Sequence, residues 1–153
     1  MGFNPAKSAF AFALRVKLHT SPIKWKGKID SLRRWGLSED EILLAFRKHP
    51  LFMSLSEKTI TKKMDFLVNK MGWQPAVIAR YPAVFTYSLE NRIVPRCYVI
   101  KVLLLKGLIK ETISLLSILS PSDESFLEEF VIKHKELEPE LLNVLEGKIE
   151  FAD

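Results

Sequence analysis

Residues able to crosslink the chain or hold a metal are scarce in this sequence. Cys97 is the sole cysteine, which excludes an internal disulfide and fits a reducing compartment. The three histidines, His19, His49 and His134, are widely scattered and show no H-x-x-x-H spacing, so neither a metal nor a cofactor is expected. Long apolar runs are missing too. The aliphatic run Val102 to Leu105 ends at Lys101 on one side and Lys106 on the other, far short of the roughly 20 residues that cross a membrane. No hairpin-turn dipeptide, glycine-rich phosphate loop or Ser, His and Asp set stands out. The carboxylates sit at helix starts and near the end of the chain, where capping and solubility explain them, so no enzyme is expected.

What the chain does have is a pattern written twice. Of its 153 residues, 48% are hydrophobic, enough for a substantial core. In the first copy, Gly36-Leu37-Ser38 opens a helical segment that closes at Lys48-His49-Pro50. Leu51-Phe52-Met53 follows, then a second segment from Ser56 to Met71, ended by Gly72. The second copy runs through Gly72-Trp73-Gln74-Pro75, Arg80-Tyr81-Pro82 and Ala83-Val84-Phe85, then from Ser88 to Lys106, ended by Gly107. Pro50 and Pro82 lie 32 residues apart, as do Ser56 and Ser88, while Ile60 and Ile93 lie 33 apart. A period this constant predicts an array of helical repeats. Residues 2–36 read as a third, divergent copy without the closing proline.

The local signals agree with that division. Asn4-Pro5 and Ser21-Pro22 each read as a cap followed by proline in the first turn, and Ser38-Glu39-Asp40-Glu41 is a capping box. Trp25, Ile29, Leu32 and Trp35 recur at helical intervals, as do Ile60, Met64, Leu67 and Met71. Pro95 falls inside the segment after Ser88 and is expected to bend it or delay its start. Beyond Gly107 the pattern dissolves into shorter helices over 112–119, after Ser120-Pro121-Ser122-Asp123, and over 139–146. The expected organisation is therefore an all-α array of helical repeats. A basic array spans 1–110 (repeats 2–36, 36–72 and 72–107), and an acidic helical cap spans 111–153.

Charge divides along the same line. The net charge is +5, but residues 1–110 hold 20 Lys/Arg against 7 Asp/Glu, and residues 111–153 hold 3 against 11. A basic body attracts polyanions, nucleic acid above all; a basic surface without a partner is the plainer alternative. Aligning the copies puts Lys28, Lys63 and Arg96 in one register, each three after Trp25, Ile60 or Ile93. Lys48 and Arg80 share another register, each two before a proline. Stacked helices lie about 8–10 Å apart, so matched cations are expected to form a ladder along a phosphate backbone, extended by Arg33, Arg34, Lys62 and Arg92. Such a ladder supplies affinity without reading bases. Trp25, Trp35 and Trp73 are expected to pack between repeats, with stacking on bases as the alternative. Cys97 is expected to be a buried helical thiol.

Six segments in this order resemble the mitochondrial transcription termination factor (mTERF) family, in its plant organellar branch. They are Gly2-Phe3-Asn4-Pro5, Trp35-Gly36-Leu37-Ser38, Ala45-Phe46-Arg47-Lys48-His49-Pro50, Lys62-Lys63-Met64-Asp65-Phe66-Leu67, Tyr87-Ser88-Leu89-Glu90-Asn91-Arg92-Ile93-Val94-Pro95-Arg96, and Phe126-Leu127-Glu128-Glu129-Phe130-Val131. The resemblance implies an all-α solenoid of helix-helix-3₁₀ repeats, of either hand, wound into a curved superhelix whose basic concave side holds nucleic acid, usually double-stranded DNA and otherwise structured RNA. It also implies a place in mitochondrial or chloroplast gene expression, in transcription termination or RNA maturation, alongside organellar transcription or splicing proteins. No Arg-rich, Ser-rich, acid-poor leader precedes the first motif, so the chain is expected to be the C-terminal part of a longer array, a shortened relative or a partial gene product; a monomer off the membrane is expected. A protein-interaction scaffold, docking through the acidic, Phe-containing end, is the competing expectation.

Overall fold

The computed structural model describes residues 8–147, and the expected Asn4-Pro5 cap lies outside them. Among the described residues every regular element is helical, and no helix is long and apolar enough to cross a membrane. The chain forms two compact units that divide between Thr86 and Tyr87, within the stretch expected as the repeat 72–107.

The N-terminal unit contains α1 (Ser8–His19), α2 (Pro22–Arg34), α3 (Glu39–Lys48), α4 (Glu57–Met64) and α5 (Pro75–Arg80). Serines start three of these helices. Ser21, Ser38 and Ser56 accept the backbone N–H of Lys24, Glu41 and Thr59 respectively, three residues on. Glu41 closes the capping box by accepting the Ser38 N–H at 3.1 Å, leaving fewer first-turn amides unpaired. α3 and α5 both stop one residue before a proline. His49 and Tyr81 take nearly the same non-helical backbone (φ −149°, ψ 80° and φ −124°, ψ 63°), because the proline ring disfavours the α region just before it. Each proline then opens a 3₁₀ turn, Pro50–Ser54 and Pro82–Thr86. The repeat is thus helix, 3₁₀ turn, helix, the 3₁₀ turn being what the resemblance implied.

α4 continues as a π-helical turn, Asp65–Lys70, and ends at Gly72 with φ +79°. Gly36 ends α2 in the same way, at φ +96°. Glycine reaches this left-handed backbone without the steric cost other residues meet. The core of the unit collects the turn residues and helix stripes together: Phe46, Phe52, Met53, Ile60, Met64, Leu67, Ile78 and Phe85 are all fully buried. Trp25 meets Phe46 edge-on at 5.0 Å between ring centroids, and Phe52 stacks on Phe85 at 5.4 Å. The two proline turns pack on each other, so consecutive repeats share one aromatic seam. Burying a ring this size stabilises by about 1.5–3 kcal/mol.

The C-terminal unit opens with a π turn, Leu89–Ile93, leading into α6 (Val94–Leu105). Pro95 delays the α-helix as expected. The Ile93 N–H donates to the Ser88 carbonyl, five residues back, and the α register begins only at Val94, with Pro95 in the first turn where no N–H is required. After Gly107 come α7 (Leu115–Leu119), α8 (Asp123–Phe126) with its π continuation Leu127–Val131, a 3₁₀ turn Ile132–His134, and α9 (Leu141–Leu145). α7 is shorter than the expected 112–119 because Ser114 caps it, accepting the Ser117 N–H. Ile93, Cys97, Ile100, Leu103, Leu115, Leu119 and Phe126 form this core. Burial pushes the Cys97 thiol up to about 12, so it stays protonated and serves as a small apolar residue.

Candidate nucleic-acid interface

The register shared by Lys28, Lys63 and Arg96 exists in three dimensions, but it points inward. All three are buried, at 7%, 7% and 2% exposure. Lys28 Nζ donates to the Met53 carbonyl at 2.6 Å. Lys63 Nζ donates to the Phe85 carbonyl at 2.6 Å. Met53 and Phe85 lie 32 residues apart, in the two proline turns, so each lysine grips the same place in successive repeats. Short 3₁₀ turns leave carbonyls without helical partners, and a buried ammonium supplies the missing donor.

Arg96 repeats the device with more bonds. Its NH1 donates to the carbonyls of Ile118 at 3.0 Å, Leu119 at 3.3 Å and Pro121 at 2.8 Å, while NH2 reaches Asp123 Oδ1 at 2.8 Å. The guanidinium also lies 4.8 Å from the Phe126 ring centre. Burial lowers the Arg96 pKa, opposed by the bond to Asp123. That same bond holds the Asp123 carboxyl below its usual range. Burial likewise lowers the Lys28 pKa, with the nearby Lys24 charge adding to it.

The expected ladder is corrected accordingly. Lys28, Lys63 and Arg96 are donors to the protein's own backbone and form no exposed ladder, although Lys28 also borders a surface cleft. Arg92 stands between the two classes. It is 27% exposed, donates to the Leu119 carbonyl at 3.2 Å, sits 3.6 Å from Asp123 and covers the Tyr87 ring.

The other predicted cations lie on the surface. Arg33 pairs with Glu39 at 2.8 Å and Arg34 with Glu57 at 3.4 Å, all four side chains about half exposed or more. Exposed pairs like these contribute about 0–1 kcal/mol, so either arginine can exchange its partner for a phosphate. Lys62 is exposed on α4. Lys48 and Arg80, the second matched register, are both exposed, and Lys48 Nζ lies 3.4 Å from the Arg80 carbonyl. The fold therefore brings the ends of α3 and α5 side by side, with Arg47 and Lys48 in the last turn of α3 and Arg80 in that of α5, where the helix dipole favours cations.

Sequence reasoning passed over Arg47, Lys24, Lys26 and Lys58, all exposed. Arg47 adjoins Lys48 at the end of α3, and no repeat-matched partner drew attention to it. The tryptophans divide: Trp25 is buried in the core, with Lys17 Nζ 4.0 Å from its ring centre, whereas Trp35 and Trp73 are half-buried beside their cap glycines. Among the described residues no group of three or more His, Cys, Asp or Glu could hold a metal ion.

With this geometry in view, similarity to known proteins becomes informative. The family model described as mTERF matches residues 15–127. The chain is 30% identical over 133 residues to the Arabidopsis thaliana protein "Transcription termination factor MTERF15, mitochondrial", covering 87% of this chain and 28% of that one. It is 27% identical over 110 residues to "Transcription termination factor MTEF18, mitochondrial", covering 72% and 20%. It is 29% identical over 93 residues to "Transcription termination factor MTERF8, chloroplastic", covering 61% and 19%; both proteins are again from Arabidopsis thaliana. The chain thus spans 19% to 28% of the length of these relatives. No solved structure matches. The family match over residues 15–127, which include both proline-turn repeats, makes this chain a member of the mTERF family.

Proposed function

We propose that this chain binds nucleic acid, duplex DNA foremost, through the exposed cations of its N-terminal unit. The observation that carries the reading is the Lys48 and Arg80 pair, exposed and adjacent at the ends of equivalent helices in consecutive repeats. It belongs to a segment, residues 1–86, with 15 Lys/Arg against 6 Asp/Glu. Arg47, Arg33, Arg34 and Lys62 extend the positive surface. Contacts of this kind fix a phosphate backbone and displace its counterions without reading bases.

The relatives' names place those proteins in mitochondria or chloroplasts as transcription termination factors. By extension this chain acts in organellar gene expression, in transcription termination or in RNA maturation. It acts as a binding protein and not as a catalyst.

The test is affinity for a duplex measured over a salt series. Affinity should fall steeply as salt rises. Replacing Lys48 and Arg80 together by Ala should reduce the magnitude of the log–log slope by about two and leave the thermal transition in place. A salt-independent affinity, or no binding at low salt, sinks the reading. Structured RNA run in parallel decides which polymer is preferred.

A further inference from the structure

Cations are unfavourable in the first turn of a helix, where the backbone dipole is positive. α3 respects this and opens with Glu39, Asp40 and Glu41. α2 and α4 do not: Lys24 lies in the first turn of α2, which contains no acid, and Lys58 follows Glu57 at the start of α4. Both lysines line one cleft of about 480 Å³ in the N-terminal unit, together with Lys28, His19 and the hydroxyl residues Thr20, Ser54 and Ser56. Glu57 is the cleft's single carboxylate, and its charge is engaged by Arg34 at 3.4 Å.

Among the described residues neither Lys24 nor Lys58 has an ion-pair partner. Lys24 also stands one turn from Lys28, and like charges at that spacing repel. The Lys28 ammonium spends one N–H on Met53, and an ammonium carries three. Three like charges have been drawn to one concave place, two of them against their helix dipoles. An anion at that place relieves all of these conflicts together.

We propose that this cleft is a phosphate-binding site, with Lys24 and Lys58 as its movable donors and Lys28 as its fixed floor. The Ser54 hydroxyl already donates to the Leu51 carbonyl, and Thr20 to Val16, so both keep acceptor faces only. The lysines therefore carry the recognition, and the charge of the anion matters more than its shape. The phosphate is either a backbone phosphate of a bound nucleic acid, in which case the site rests on the nucleic-acid reading above, or that of a free nucleotide.

The test is a titration of the whole chain with inorganic phosphate in low-salt chloride buffer, followed by amide chemical shifts. Saturable shifts confined to residues near 20–24 and 54–59 are expected. The paired substitution Lys24→Gln and Lys58→Gln, both at exposed positions, should weaken phosphate binding about tenfold. Lys48→Ala with Arg80→Ala should leave it unchanged. Shifts spread evenly over all surface lysines, or uptake that survives the Lys24 and Lys58 substitutions, overturns the site.

Duplex DNA and ATP then separate the sources. A tenfold loss of duplex affinity in the Lys24→Gln, Lys58→Gln variant assigns the site to the polymer backbone. Unchanged duplex affinity with lost ATP binding assigns it to a free nucleotide. If the chain takes up phosphate locally but no nucleic acid, the cleft stands and the wider reading falls.

Discussion

The two units solve the same problem with different chemistry. In the N-terminal unit, Lys28 and Lys63 each donate a short hydrogen bond to a turn carbonyl. In the C-terminal unit, Arg96 serves three carbonyls and a carboxylate at once. The difference follows what each cation must hold. A five-residue 3₁₀ turn offers its carbonyl at one point, which suits a compact ammonium on a flexible stem. The end of α7 and the Ser120-Pro121 step leave several carbonyls unpaired around one spot, and a planar fork with five N–H groups reaches them together. The position is common to all three repeats, and the side chain is fitted to the turn that follows.

That contrast can be broken from either side. The largest effect is expected from Arg96→Ala, which strands buried carbonyls and removes a stem packed on Phe126. A loss of about 3–4 kcal/mol is expected in denaturant unfolding of the chain. Arg96→Lys should recover only part of it, since one ammonium cannot occupy the positions of both guanidinium nitrogens. If lysine restores full stability, the fork is not what the site requires.

Lys63→Met should cost about 1–3 kcal/mol by leaving the Phe85 carbonyl without this donor while keeping the volume filled. An unchanged midpoint would mean that the turn finds another donor. Gly72→Ala comes next, at about 1 kcal/mol. The cost is that of left-handed backbone alone, because a Cβ at Gly72 meets nothing within 4 Å.

The smallest effect belongs to Asp123→Asn, since the Asp123 side chain is 89% exposed. Its carboxyl pKa is depressed in the folded chain. The stability it adds is therefore present above the unfolded carboxyl value of about 3.9 and is lost as pH falls through the lower folded value. Melting curves of the variant and the parent should differ slightly at neutral pH and converge below about pH 4.

Much of this architecture could be read from the residues, and the misreading of one register has a definite cause. The proline period, the serine caps and the terminal glycines are local signals, each with its own steric or hydrogen-bonding reason, and they located the helices. Residue type alone marks Lys63 as a surface cation, because lysine is mostly exposed. Its position says otherwise: it falls between Ile60 and Met64, on the face that Leu67 continues, at the spacing of a buried stripe. Lys28 beside Trp25 and Leu32, and Arg96 beside Ile93, Cys97 and Ile100, carry the same mark.

Periodicity thus outweighed residue type at all three positions. What the sequence does not hold is the acceptor. The Met53, Phe85 and Ile118 carbonyls are backbone groups 22 to 25 residues away, and only the folded turn aims them. Lys48 and Arg80 lie off any such stripe, at helix ends, and stayed outside. The Lys24 and Lys58 cleft was equally hidden, because its two sides come from different repeats.

Because each buried cation fastens onto a turn that lies further along the chain, the seams of the array do not coincide with its glycine punctuation. A deletion that ends the protein at Gly72 looks tidy by sequence, yet it would remove the Phe85 carbonyl that Lys63 grips. Anyone cutting or splicing these repeats should place the joint beyond the receiving turn, so that every lysine keeps the oxygen it was built around.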